Sequence, residues 1–223
     1  MVVPADDEEI RERLRELRVF DPERPDFDTE AAPDHPAELF HAWLIEAIDA
    51  GVQAPHAMTL GTVDQDGRPS TRVLLLKGLD DGRWQFATSR DSRKGREITA
   101  TSWGAATFYW REQSRQVRLR GRILDAGAEA AARDFLAQPV DARVEAFAGR
   151  QSEVLDDAAD LETAADAARR RLEDQPDLVP DHWTLYHLVP DEVEFWQGDA
   201  TRRHVRLRYR LADGVWVRET LWP

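Results

Sequence analysis

From residue 36 onward the hydrophobic positions repeat first with a helical period and then with the period of strands. Leu39, Phe40, Trp43, Leu44, Ala47 and Ile48 fall at helical spacing behind Pro36, which suits a first helical turn, and Gly51 ends the run. This pattern predicts a helix packed on a core. Residues 57–63, 70–77, 83–88, 103–111 and 115–124 then read as strands, with turns at Asp64-Gln65-Asp66-Gly67 and Asp80-Asp81-Gly82. A short helical segment is expected to start near Asp91 or Ser92. Residues 127–137 and 156–172 read as helices, and strands resume over 183–196 and 205–222, the latter turning at Ala212-Asp213-Gly214. Strands joined by short turns predict a mainly β fold with α elements, a largely antiparallel barrel or sandwich. The β pattern is interrupted and then resumes. That favours one domain over residues 34–223, with a helical excursion at about 127–175, behind an acidic N-terminal arm over 1–33. Within the arm, residues 6–18 have the pattern of a charged helix and 22–36 read as irregular.

Composition narrows the function classes. The 223 residues, 42% of them hydrophobic, are enough for one sizeable core. Acidic residues outnumber basic ones 43 to 30, a formal charge of −13, which opposes general binding to nucleic acid. There is no cysteine, so disulfides, thiol catalysis and cysteine metal sites are excluded. The charged N-terminus shows no apolar signal region, and no apolar run approaches the roughly 20 residues of a membrane span, so a cytoplasmic protein is expected.

The basic residues are scarce enough to be informative. Arg72 and Lys77 flank the apolar run Val73 to Leu76; strand alternation puts Arg72, Leu74 and Leu76 on one face and Val73, Leu75 and Lys77 on the other. Each cation needs a partner there, and rim salt bridges are one answer. Ser92-Arg93-Lys94 stands at a strand-to-helix junction, where a hydroxyl, two cations and free helix N–H groups suit an anion. Gln116 opens the strand that continues with Arg118, Arg120 and Arg122, a pattern that fits a solvated arginine face. Its amide can pair with a planar heterocycle. Gln151-Ser152 follows the first alanine-rich helix. Trp196 can pack on a ring, and Arg202 and His204, two apart, would share a strand face and could grip an anionic or aromatic substrate. Zinc-type histidine spacing, a Gly-rich phosphate loop and a nucleophile elbow are absent.

Taken in order, Arg72-Val-Leu-Leu-Leu-Lys77, Ala87-Thr88, Ser92-Arg93-Lys94, Arg115-Gln116-Val117, Arg150-Gln151-Ser152, Val193-Glu-Phe-Trp-Gln-Gly198 and Arg202-Arg-His204-Val-Arg206 resemble the pyridoxamine 5′-phosphate oxidase family of FMN-binding split barrels. The resemblance covers residues 36–223. It implies a homodimer with FMN between the subunits. Arg72, Lys77, Ser92, Arg93 and Lys94 would hold FMN, largely its phosphate, and Thr88, Gln116, Gln151, Ser152, Trp196 and Arg206 would make the other flavin contacts. It further implies hydride transfer from a small cyclic amine or alcohol to the flavin and then to O2, with Arg202 and His204 positioning the substrate.

One segment departs from the family pattern. Where the family grips the substrate phosphate with a tyrosine, an arginine and a serine, this sequence has Asp134, Gln138 and Ala142. Two readings stay open: a pyridoxine/pyridoxamine phosphate oxidase in which Arg133, Arg143 or Arg150 replaces the clamp, or a diverged member acting on another ring. The phenazine-biosynthesis flavoenzymes are a precedent for the second, with Ser70-Thr71-Arg72 and Tyr109-Trp110-Arg111-Glu112 similar to that branch. A non-catalytic flavin- or haem-binding split barrel, a deazaflavin reductase and an interaction protein using its acidic arm are the alternatives outside this class.

Overall fold

The computed structural model describes residues 8–17, 19, 20 and 25–223. Of the helix expected over 6–18, α1 (Glu8–Glu16) lies within them; residues 6, 7 and 18, and residues 22–24 of the expected irregular stretch, lie outside the described residues. Then follow α2 (Pro36–Asp49), β1 (Ala57–Val63), β2 (Pro69–Leu75), β3 (Gly78–Asp80), β4 (Arg83–Ser89), α3 (Arg93–Thr101), β5 (Trp103–Trp110) and β6 (Arg115–Asp125). The C-terminal part holds α4 (Ala128–Leu136), α5 (Val140–Ala148), α6 (Ala158–Asp174), β7 (Trp183–Gln197), β8 (Val205–Ala212) and β9 (Val215–Thr220).

All nine strands join one antiparallel sheet, ordered β2-β1-β5-β6-β7-β4-β3, with β8 on β7 and β9 on β8. The 15-residue β7 makes this closure possible. One edge pairs with β6 along its length; the other pairs with β4 through its first half (Trp84↔Leu188) and with β8 through its second (Glu192↔Arg210). One strand thus serves two sheet edges, which gives the split barrel. A bulge between Arg120 and Gly121 bends β6, and only glycine fits there: a Cβ on Gly121 would lie 2.0 Å from the Val189 carbonyl oxygen.

The barrel closes around aromatic rings. Phe40 and Trp43 project from α2 onto Trp84, Phe108, Trp110 and Phe195, with ring centroids 4.8–6.4 Å apart, an edge-and-tilt arrangement that suits ring quadrupoles. Arg115 is buried in the same region. Its guanidinium lies 4.1 Å over the Trp43 ring and bonds Glu46 (2.5 Å) and Gln197 (3.0 Å), so this arginine ties α2 to the barrel. The arginines after it, Arg118, Arg120 and Arg122, are exposed as the alternation predicts; Arg118 pairs with Glu194 at 2.7 Å and Arg122 lies over Trp103. A second small core of Val144, Ala168 and Leu172 packs α5 against α6.

Candidate functional site

The densest polar cluster forms under the N-terminus of α3. Ser92 caps that helix, its hydroxyl accepting from the Gly95 N–H at 3.2 Å and donating to the Ser89 carbonyl at 2.7 Å. Gly95 is required by close approach, since a Cβ there would lie 2.3 Å from the Arg90 carbonyl oxygen. Lys94, 6% exposed, turns inward. Its ammonium donates to Thr88 Oγ1 (2.9 Å), Ser92 Oγ (3.3 Å) and Gln151 Oε1 (2.9 Å), all neutral oxygens. Burial and the nearby Arg72 charge lower its pKa to about 8, against a smaller opposing pull from Glu97. The Arg93 backbone N–H donates to Ser152 Oγ at 3.2 Å. The chain thus brings Thr88, Ser92, Arg93, Lys94, Gln151 and Ser152 together.

Arg72 stands beside this cluster on the inner face of β2, as alternation predicts. Its guanidinium donates to Thr62 Oγ1 (2.5 Å), Ser70 Oγ (2.7 Å) and Glu97 (3.3 Å). Glu97, almost fully buried, also accepts from Thr62 (2.5 Å), Ser70 (2.7 Å) and Arg93 (2.8 Å). Burial alone would raise the Glu97 carboxyl; these hydrogen bonds outweigh it and hold the pKa at about 2. Glu97 thus fixes the two arginines, a role that sequence reasoning did not assign. Its position four residues after Arg93 on a helix was the available signal.

Gln116, Trp196 and Arg206 form a second group. They are direct cross-strand partners over β6, β7 and β8, on the face opposite the core. Arg72 pairs across β1, β5 and β6 with Leu60, Ala106 and Leu119, which face the core. Three strand spacings, roughly 14 Å, and the thickness of the sheet therefore separate the two groups within one chain. Arg206 is held by Glu194 at 2.9 Å, and the same carboxylate takes Arg118. Burial would raise Glu194; the two arginines lower it.

Arg202 and His204 do not share a strand face as expected, because β8 begins only at Val205. Asp199 organises a turn instead: its carboxylate accepts from the Thr201 N–H at 2.7 Å, its carbonyl accepts from the Arg202 N–H, and Arg202 takes φ +67°. His204 Nδ1 accepts from the Asp199 N–H at 3.0 Å, leaving Nε2 to carry the proton of the neutral ring. Burial, then the charge of Arg202, lower the His204 pKa and favour that neutral form. The ring lies 4.9 Å from Trp196 and 5.3 Å from Phe20.

The third feature is a cavity of about 340 Å³ beside the Lys94 cluster, sharing Thr88 and Gln151 with it. Gln138, Ala142 and Trp183 line it, and Leu161 of α6 forms part of its wall. Behind this wall Asp134 accepts from Gln138 Nε2 and Trp183 Nε1, each at 3.1 Å, and pairs with Lys77 Nζ at 3.5 Å. Arg133 pairs with Glu129, Arg143 donates to the Pro176 carbonyl, and Arg150 pairs with Glu153; none of the three lines the cavity. Among the described residues no helix is long and apolar enough to cross a membrane.

Fold and site together define a split-barrel protein with a cation-lined cradle at a helix N-terminus and a separate aromatic and arginine row on the opposite sheet face. Residues 44–172 match the family described as pyridoxamine 5′-phosphate oxidase, and residues 183–223 match the pyridoxine 5′-phosphate oxidase C-terminal dimerisation region. The chain belongs to the pyridoxamine 5′-phosphate oxidase family, and by family it is an oxidoreductase. It is 45% identical to a pyridoxine/pyridoxamine 5′-phosphate oxidase of Pseudomonas fluorescens (strain SBW25) over 196 residues, covering 86% of this chain and 90% of that one. A relative of the same name from Pseudomonas syringae pv. syringae is 43% identical, covering 87% and 92%. Among solved structures, PhzG from Burkholderia lata 383, in complex with tetrahydrophenazine-1-carboxylic acid, superposes with a TM-score of 0.83 at 30% identity, covering 90% of this chain and 99% of that one.

Proposed function

We propose that this protein is an FMN-dependent oxidase acting as a homodimer, taking a hydride from a carbon that bears an amine or hydroxyl on a small ring substrate. The observation that carries this reading is the buried Lys94 ammonium, surrounded by neutral oxygens at a helix N-terminus. A phosphate monoester fits that donor set: it supplies the missing negative charge and meets the Ser92 hydroxyl and the helix dipole. Arg72, Ser92, Arg93 and Lys94 would hold this end, with Thr88, Gln151 and Ser152 beside it; Lys77, expected there from the resemblance, pairs with Asp134 instead. Gln116, Trp196 and Arg206 face away from this cradle, so the same residues of a second copy would cover the ring. Exposed Val73, Leu75 and Tyr109 on that outer face, at 64%, 50% and 51%, support a surface covered by another copy, as does the match to a dimerisation region. Bound FMN supplies the hydride acceptor, and oxygen takes the two electrons with two protons as hydrogen peroxide. Arg202 and the His204 Nε2–H would orient the donor carbon, losing hydride as its nitrogen or oxygen loses a proton.

Reconstitution tests this directly. The protein is expected to bind FMN, with a flavin spectrum and a dimer in sedimentation. Arg93→Ala should lose the flavin. His204→Ala should retain it and slow anaerobic flavin reduction by roughly a hundredfold. A protein with no FMN affinity would overturn the cofactor reading, and flavin loss from His204→Ala would overturn the division of roles.

A further inference from the structure

Resting on the FMN-oxidase reading, we propose that the cavity beside the cradle takes the ring end of a substrate that carries no phosphate, with Asp134 as the specificity-determining residue. Asp134 is an anion built into the wall. Its carboxylate, 13% exposed, gathers the Lys77 ammonium at 3.5 Å and the Gln138 amide and Trp183 indole N–H at 3.1 Å. These are the donors that an incoming phosphate would need on this side, and each is already satisfied by an internal charge. The cavity lining itself holds Glu145 as its one charged side chain among the described residues. Leu74, Ala87, Ala142, Ala146 and Leu161 make most of the remaining surface apolar. A dianion entering here would meet two carboxylates and no free cation of the lining, and would lose its hydration without replacement. An uncharged or amine-bearing ring would instead stack on apolar walls and leave the Asp134 network intact.

The test compares two donors on the FMN-loaded dimer under anaerobic conditions: pyridoxamine and pyridoxamine 5′-phosphate, each followed by flavin bleaching. The unphosphorylated ring is expected to bleach the flavin at least about tenfold more efficiently, the worth of one charge-assisted bond. Asp134→Asn releases Lys77 and should move the ratio by about tenfold or more toward the phosphate ester. Faster bleaching by the ester in the unaltered protein would overturn the proposal, as would bleaching by neither donor. A ratio unchanged in Asp134→Asn at full flavin content would remove Asp134 from it. Should that variant fail to fold, the comparison in the unaltered protein still decides. Failure of the parent reading is separate: it appears as absence of bound FMN before any donor is added.

Discussion

Exchange of Lys94 for methionine is expected to stabilise the FMN-free protein while lowering its affinity for FMN by about a hundredfold. The two effects have opposite signs because they act on the same buried charge in different surroundings. Without an anion, the ammonium has only the oxygens of Thr88, Ser92 and Gln151 to replace its water. Methionine of similar length removes that cost, and the neighbours keep partners: Ser92 still bonds Ser89 and Gly95, and Thr88 still donates to Gln151. With FMN bound, the same charge meets a phosphate, and its loss removes one or two charge-assisted bonds. The pH dependence is a second signature. The folded pKa of about 8 lies below the model-peptide 10.5, so between these values the unfolded chain holds a proton that the folded one has released. Stability of the FMN-free protein therefore rises with pH across that window, and FMN affinity falls above about pH 8. Both slopes should disappear in Lys94→Met. Denaturant melts and flavin titrations at pH 7 and 9.5 measure them; parallel losses of stability and affinity would mean that Lys94 is a structural residue.

Glu97→Ala is expected to destabilise the protein by about 3 kcal/mol at neutral pH, the cost of leaving partners of a buried ion pair unpaired. Its carboxylate serves Thr62, Ser70, Arg72 and Arg93 at once, and Thr62 has no exposure to water through which it could find another acceptor. Glu97→Gln keeps an acceptor and should lose less. Because the folded pKa is depressed from 4.5 to about 2, the contribution is complete above pH 4.5 and disappears as pH falls toward 2. Urea melts of the unaltered protein and Glu97→Gln should therefore converge on acidification. Curves that stay equally far apart at pH 3 and pH 7 would show that charge is not the source of the effect.

Most strands were legible because one face of each is buried, so period-two alternation and Gly- or Asp-rich turns are written locally. The start of α3 was legible for the same reason: Ser92 is a helix cap by its own chemistry. The helix α5 was not, since Val144 is its one fully buried residue and nothing caps it with a side chain. Nor was β3, three residues long and held only by pairing with β4. For the site, motif order brought forward the cations, and alternation placed Arg72 on the same face as Leu74 and Leu76. The salt-bridge reading of Arg72 and Lys77 holds in the free chain, where Glu97 and Asp134 face them.

By itself the sequence determined which residues carry charge, which positions alternate, and that the clamp positions hold Asp134, Gln138 and Ala142. Only the tertiary structure decided what those charges do. Whether an ammonium is buried among neutral oxygens, or a carboxylate gathers a lysine 57 positions away, depends on which distant segments share a sheet face. The opposite faces taken by Arg72 and Gln116 arise from strand pairing. Pairing energies between remote strands and the dielectric of a closed core are properties of the assembled barrel, and no local window of residues contains them.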